Sequence, residues 1–119
     1  MLDGQMMGFP LTITHLLERA RAIFPDSEVV TRRPDKSLLR QTNQETYARC
    51  ERLARALLRL GVKKGDRVAT FCWNHREHLE LYLTVPAIGA VVHTLNLRLH
   101  PTELAYIANH AADSVVLVD

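Results

Sequence analysis

The 119-residue sequence predicts an α/β fold, an open half-sheet of three parallel strands arranged along the chain as β-α-β-α-β. Three apolar runs, at 68–73, 91–95 and 114–118, carry this prediction, because strands covered on both faces have nearly unbroken apolar sequences. A helix-length segment separates each run from the next. Two buried strands joined by a helix are most simply a parallel pair with a right-handed crossover. The sequence also predicts that a helix, a short hairpin and an amphipathic helix precede this unit.

The N-terminal part of the chain predicts a helix followed by a hairpin. Residues 11–24 carry apolar side chains at helical spacing, and Pro25-Asp26 ends that pattern. From 28 to 41, two short polar stretches flank Pro34-Asp35-Lys36, which is typical of a hairpin turn. Because both strands are short and polar, we expect an edge ribbon.

The stretch 47–60 predicts an amphipathic helix, since apolar residues recur at helical spacing and Gly61 closes its end. Its remaining positions include four arginines, Arg49, Arg52, Arg55 and Arg59. We interpret them as a solvated face whose aliphatic stems cover apolar surface. The alternative interpretation is an anionic partner.

The segment after the first apolar run predicts a helix beginning at His75. Asn74 is the predicted N-cap, with Glu77 reaching back to it as in a capping box. Pro86 removes a backbone hydrogen bond inside the helical pattern, so we expect a kink or break there and a helix end around 87–89. Pro101 is suited to the first position of the following helix.

Composition places the chain among ordinary globular proteins, with 47% apolar and 24% charged residues. A net charge of +2 gives no support to nucleic-acid binding, which needs many clustered phosphate contacts. Residues 1–10 lack the pattern of a targeting signal, and no run approaches the ~20 apolar residues of a membrane span. We therefore expect one cytoplasmic domain. Cys50 and Cys72 lack ligand spacing and are expected to be buried as small apolar residues.

Ligands of open parallel sheets bind beyond the carboxyl ends of the strands. In this sequence, the predicted cleft at those ends is lined by Asn74, His75, Thr94, Asn96 and Arg98. His93 lies inside the second apolar run. It is interpreted either as a hydrogen-bonded core histidine or as a further residue lining the cleft.

No catalytic or metal site can be assigned from the residues alone. His75 and His78 are three residues apart, whereas helical zinc sites of hydrolases place two histidines four apart, and no third ligand is evident. The first strand is not followed by Gly-x-Gly-x-x-Gly. A Gly-rich phosphate loop ending in Lys-Ser or Lys-Thr and a Gly-x-Ser-x-Gly elbow are likewise absent from the sequence.

A series of short motifs runs along nearly the whole chain. In order they are Thr46-Tyr47, Leu53-Ala54-Arg55-Ala56-Leu57, Leu60-Gly61-Val62, Gly65-Asp66-Arg67-Val68-Ala69, Asn74, Gly89-Ala90-Val91, Leu95-Asn96 and Leu104-Ala105-Tyr106-Ile107. Their order and spacing resemble the N-terminal region of the adenylate-forming acyl-CoA synthetases. Val92-His93-Thr94-Leu95-Asn96 and Val85-Pro86 are most similar to the branch acting on medium- and long-chain fatty acids.

This resemblance implies a ligase with two half-reactions. A fatty acid attacks the α-phosphate of ATP to give an acyl-adenylate and pyrophosphate, and the CoA thiol then displaces AMP. Mg²⁺ would neutralise the phosphates. The family's catalytic motifs lie downstream of this chain, so no catalytic residue is carried over. We expect the chain alone to be inactive and to bind ATP, Mg²⁺ and CoA without high affinity.

The resemblance also implies how the chain is organised. It would be a single unit, the N-terminal fragment of the large adenylate-forming domain, with a helix and hairpin at 1–45 and a helix plus βαβαβ unit at 46–119. The loop after the second strand would lie near the CoA entrance, which assigns Asn96, Leu97 and Arg98 to that loop. Arg98 would contact a CoA phosphate, or alternatively anchor its own loop.

Two further expectations concern partners. Without the rest of the parent protein, the last strand would be an edge with exposed apolar surface, so we expect self-association or a homodimer. The alternative function is a self-contained α/β binding or interaction module without ligase activity.

Overall fold

The computed structural model describes Gly8 and residues 10–119, and shows a mixed α/β chain. The helices are α1 (Ile13–Ile23), α2 (Asn43–Arg59), α3 (Arg76–Ala87) and α4 (Pro101–Ala111). The strands are β1 (Glu28–Arg32), β2 (Leu38–Thr42), β3 (Arg67–Phe71), β4 (Val91–Thr94) and β5 (Val115–Val118). The expectation that residues 1–10 hold no targeting signal falls mostly on residues 1–7 and 9, which lie outside the described residues.

The three apolar runs form a parallel sheet in the order β4-β3-β5, which confirms the predicted half-sheet. Val68 of β3 is opposite Val92 and Val115 on its two neighbours. The crossover from β3 to β4 and the crossover from β4 to β5 run in opposite directions across the sheet. Right-handed connections therefore place α3 on one face and α4 on the other.

The core lies on the α3 face of the sheet. Helices α1, α2 and α3 pack against one another there. Its buried members are apolar side chains from α2, α3, β3 and the turns that join them, Leu57, Val62, Val68, Leu81, Val85 and Ala90. Val92, Val115 and Leu117 pack against this cluster from the two edge strands. Cys50 and Cys72 are both buried, as predicted, and burial raises the pKa of each thiol.

The predicted hairpin is present but forms its own two-stranded antiparallel sheet, since β1 and β2 pair with each other and not with the three-stranded sheet. Lys36 takes a positive φ of 69° at the turn, where the Asp35 carboxylate accepts a hydrogen bond from the Ser37 backbone N–H. The ribbon packs beside α2 and α3.

The start of α3 differs from the prediction. His75, not Asn74, is the N-cap: its backbone is extended and its ring accepts from the His78 backbone N–H, so the helix begins at Arg76. Glu77 does not reach back to Asn74: its carboxylate is bound by the Arg76 guanidinium and lies 3.2 Å from His75 Nδ1. The predicted capping box at Asn74 is therefore wrong.

The end of α3 lies where the sequence placed it. The helix continues through Pro86 without interruption and ends one residue later, at Ala87. Gly89 then takes a φ of 79°, and the Ala90 N–H donates back to the Val85 carbonyl. This is the bond pattern of a Schellman C-cap, for which glycine is favoured.

Helix α4 starts at Pro101, as predicted. Its last carbonyls, of Ala111 and Ala112, accept hydrogen bonds from the Arg67 guanidinium on β3. No residue of α4 is fully buried. Within the described part of the chain, no helix is long and apolar enough to cross a membrane.

Candidate functional site

The turn between β3 and α3 is bound to the end of β5. The Trp73 backbone N–H donates to Asp119 Oδ2 at 2.7 Å, and His75 Nε2 lies 2.6 Å from Asp119 Oδ1. A carboxylate oxygen can only accept, so His75 Nε2 donates to Asp119, while His75 Nδ1 faces the His78 backbone N–H at 3.3 Å and Glu77 Oε2 at 3.2 Å. The Trp73 N–H and the His75 ring together hold the pKa of Asp119 below its ordinary value.

The side chain of His78 stabilises this turn through hydrogen bonds. It is buried, with Nδ1 3.2 Å from the Trp73 carbonyl and Nε2 3.0 Å from the Thr70 hydroxyl. A carbonyl can only accept, so Nδ1 carries the proton and Nε2 accepts from Thr70. Both ring nitrogens of His78 are thus occupied by the fold.

The structure does not bring the predicted cleft residues into one cleft. Asn74 and His75 lie on the β5 side of β3, where they line a space together with Asp119. Thr94 and the loop that follows it belong to β4, on the other side of β3. The clefts found beside Asn74 and His75 do not contain Thr94, Asn96 or Arg98.

The loop after β4 is held by Asn96. Its side-chain Oδ1 accepts from the Arg98 backbone N–H at 3.0 Å, and its carbonyl accepts from Leu99 N at 3.3 Å. Leu97 is half-buried and Arg98 is exposed. The Arg98 guanidinium has no hydrogen bond or ion pair with any described residue, so Asn96 and not Arg98 anchors this loop.

His93 is a hydrogen-bonded histidine of the fold. Its Nδ1 lies 2.9 Å from both carboxylate oxygens of Asp113, whose side chain is 1% exposed. This contact ties β4 to the turn between α4 and β5. The hydrogen-bonded part of the first interpretation is therefore confirmed, but the His93 side chain is 27% exposed and does not belong to the buried core.

A buried carboxylate that sequence reasoning missed joins three elements. Glu80 of α3 is 4% exposed and accepts from Arg49 Nε at 2.5 Å, from Arg49 Nη2 at 3.1 Å and from Gln41 Nε2 at 3.1 Å. Arg49 thus departs from the predicted solvated face. The sequence did carry one signal for this contact: Glu80 is a charged residue at a position of α3 where an apolar residue is expected, one helical turn after Glu77.

No described group of three or more His, Cys, Asp or Glu side chains is arranged to hold a metal ion. His75 donates to Asp119, His78 is saturated by Thr70 and Trp73, and His93 binds Asp113. These contacts stabilise turns and strand ends.

Comparison with known proteins gives the context for this arrangement. Residues 17–119 match the family described as AMP-binding enzyme. The chain is 51% identical over 114 residues to the long-chain-fatty-acid–CoA ligase of Thermus thermophilus, covering 96% of this chain and 21% of that protein. It is 40% identical over 116 residues to a 3-methylmercaptopropionyl-CoA ligase of Ruegeria lacuscaerulensis, covering 98% of this chain and 22% of that protein.

Solved structures show the same fold. A putative long-chain-fatty-acid CoA ligase from Rhodopseudomonas palustris superposes with a TM-score of 0.77 at 39% identity, covering 91% of this chain and 26% of that one. The chain spans about a fifth of the length of the curated relatives it matches.

Proposed function

Because the chain belongs to the AMP-binding enzyme family, we propose that it is the N-terminal portion of a fatty-acid–CoA ligase. The whole protein would activate a fatty acid with ATP to an acyl-adenylate and then transfer the acyl group to CoA. The observation that carries this proposal is the 51% identity to a long-chain ligase over 96% of the chain. The contacts of the described residues agree with a scaffolding role, since the titratable groups at the strand ends bind one another.

This chain and the rest of the ligase would have different roles. ATP and Mg²⁺ would be held by residues outside these 119, and Mg²⁺ would stabilise the charge that develops on the phosphates. The chain would be one unit within the large adenylate-forming domain, with a helix and hairpin at 1–45 and a helix plus βαβαβ unit at 46–119. We also propose that the ligase is located in the cytoplasm.

The loop at Asn96, Leu97 and Arg98 is the proposed contact of this chain with CoA. A guanidinium is well matched to a phosphate group, because its planar N–H donors pair with two oxygens at once. The Arg98 head is exposed and has no partner among the described residues, while the hydrogen bond from its own N–H to Asn96 fixes its backbone. The arginine is therefore available to a ligand without first breaking another contact.

The test uses the full-length ligase and measures the two half-reactions separately. Acyl-CoA formation from medium- and long-chain fatty acids is expected for the wild type. Arg98→Ala should raise the KM for CoA about tenfold, the cost of one charged hydrogen bond, and leave pyrophosphate exchange unchanged. Arg59→Ala, which removes an exposed arginine at the end of α2, is the matched control.

The outcomes separate the proposal from its alternative. An unchanged KM for CoA in Arg98→Ala would remove Arg98 from the CoA site but leave the ligase in place. Absence of acyl-CoA formation with every acid tested would instead favour a self-contained binding or interaction module. The length of the reading frame that encodes the chain gives an independent check.

A further inference from the structure

Helix α1 is attached to the rest of the protein through few buried side chains. Leu17 is its one fully buried residue, whereas Ile13 is 40% exposed, Leu16 is 64% exposed and Ile23 is 53% exposed. None of its residues belongs to the core cluster or to the apolar side chains that pack against that cluster. The core cluster therefore does not depend on α1.

The packing beneath α1 is incomplete. A gap of about 150 Å³ lies between α1 and the two helices that it contacts. The walls of this gap include Thr14 and Leu17 of α1, Tyr47, Cys50 and Ala54 of α2, and Thr84 and Ile88 at the end of α3. Side chains that border a gap lack the contacts that a filled interior would give them. The docked position of α1 is therefore stabilised less than close packing would allow.

A buried hydroxyl beside the gap makes no hydrogen bond. Thr84 is 1% exposed, and its Oγ1 has no partner among the described residues. A threonine inside a helix commonly donates to the carbonyl four residues before it, but here the Glu80 carbonyl accepts from the Cys50 thiol at 3.8 Å. A buried hydroxyl without a partner costs free energy, which is recovered when water reaches the group. The docked state of α1 carries this cost, and a state with α1 moved away does not.

The segment that follows α1 is fixed to the start of α2 by three hydrogen bonds. The Asn43 side-chain amide donates to the Phe24 carbonyl at 2.8 Å, and the Asn43 backbone N–H donates to the Ser27 carbonyl at 2.8 Å. The Gln44 N–H donates to the Pro25 carbonyl at 3.1 Å. These bonds anchor the C-terminal end of α1, so a movement of the helix would pivot about residues 24–27.

We propose that α1 is a lid. It opens as one unit about residues 24–27 while the sheet, the core cluster and helices α2 and α3 stay folded. Opening exposes the face of α2 and α3 that carries Cys50 and Thr84. Segments with few buried apolar contacts open locally at a lower free energy than the whole protein unfolds. The lid goes beyond the proposed ligase function and does not depend on it.

Thiol labelling measures this opening, because Cys50 lies under α1 and Cys72 does not. Both cysteines are free and buried, with Cys50 2% exposed beside the gap and Cys72 9% exposed next to Leu117 of β5. The full-length protein is treated with iodoacetamide over a range of urea concentrations, and mass spectrometry of its peptides identifies each modified cysteine. Cys50 is expected to react in the folded protein at a rate that depends only weakly on urea, since opening α1 exposes little surface.

A change in the one buried contact of α1 is the first variant. Leu17→Ala should raise the labelling rate of Cys50 about tenfold or more, because it removes the side chain that holds α1 closed, and should leave the rate of Cys72 unchanged. Leu16→Ala, the neighbouring exposed leucine of the same helix, is the matched control and should change neither rate.

A change in the unpaired hydroxyl is the second variant. Thr84→Val keeps the shape of the side chain and should slow the labelling of Cys50 about fivefold, because the docked state then buries no unpaired hydroxyl. Thr70→Val is the matched control. It removes a buried hydroxyl that is bonded to His78, outside the gap, and should not slow the reaction.

Four results would each overturn the proposal. These are labelling of Cys50 with the urea dependence of global unfolding, a Cys50 that does not react in the folded protein, equal rates for Leu17→Ala and wild type, and a Leu17→Ala protein in which both cysteines react faster by the same factor. A Thr84→Val protein that labels faster than wild type would contradict the role of the hydroxyl. Acyl-CoA formation is not part of this measurement, so a closed α1 does not count against the proposed ligase.

Discussion

The two faces of the three-stranded sheet are buried to different degrees. On the α3 face, Val68 of β3 and Val85 of α3 are fully buried in the core cluster. On the α4 face, Val116 is 46% exposed and Val118 is 63% exposed, although they lie on a strand directly beside β3. Helix α4, which the crossover places on that face, contributes no fully buried residue.

This difference indicates which face of the sheet is fully covered by the described residues. Parallel strands are normally covered on both faces, so exposed valines on β5 indicate apolar surface that the described residues do not cover. The α3 face, with its core cluster and the buried Glu80 contact, is expected to supply most of the stability. Another part of a larger protein, or another molecule, would therefore bury the most additional apolar surface on the α4 face and at the free edge of β5.

The largest expected effect is a contrast between two valines of the sheet. Val68→Ala should lower the free energy of unfolding by about 2–3 kcal/mol, since it removes buried methyl groups and leaves a cavity. Val116→Ala, the same change on the α4 face, should cost less than about 1 kcal/mol. Urea denaturation followed by circular dichroism measures both. Equal costs would mean that the faces do not differ as described.

The buried carboxylate on the α3 side gives the next effect. Glu80→Gln should destabilise the chain by roughly 2 kcal/mol, because Arg49 loses its charged partner; the partial exposure of Arg49 keeps the loss below that of a fully buried pair. Glu51→Gln, an exposed position on α2, is the control and should be near neutral. A neutral Glu80→Gln would show that the Arg49 contact adds nothing to stability.

Self-association tests whether the exposed apolar surface of β5 can bind another copy of the chain. The 119-residue chain is expected to associate and to bind an apolar dye, and Val118→Lys should weaken association about tenfold by placing a charge on the strand edge. Val30→Lys, at an exposed valine of the hairpin, is the control. Light scattering across a concentration series measures the effect. A stable monomer that binds no dye would contradict the expectation.

The smallest effect is a pH dependence at the end of β5. The pKa of Asp119 is lowered from 3.8, so its hydrogen bonds stabilise the fold above that pH and are lost as the pH falls through the lowered pKa. Asp119→Asn should therefore cost less than about 1 kcal/mol at neutral pH, because the carboxylate is solvent-exposed. The difference from wild type should vanish in acid. Fluorescence of Trp73, the only tryptophan, follows the transition.

Much of the fold followed from local sequence patterns. The apolar runs identified all three strands of the sheet, and Pro34, Gly61 and Pro101 marked a turn and two helix boundaries. These features depend on side-chain periodicity and on backbone angles that one residue type favours. They can be predicted because each is decided within a few residues.

The candidate site was harder to predict, because its contacts join distant residues. Nothing in the sequence shows on which side of β3 the last strand pairs, and that choice brings Asp119 to His75 and separates Asn74 from Asn96. The N-cap was misassigned for a different reason, because asparagine is a preferred capping residue type and histidine is not. Arg49 likewise looked like a surface residue because its partner, Glu80, lies 31 positions away.

Pyrophosphate exchange driven by ATP and a fatty acid directly tests our proposal that this chain is a scaffold portion of a ligase with no catalytic group of its own. The full-length protein and the 119-residue chain are assayed side by side. We expect exchange by the full-length protein and none by the chain. Exchange by the chain alone would contradict the proposal, and so would a full-length protein that is inert with every fatty acid.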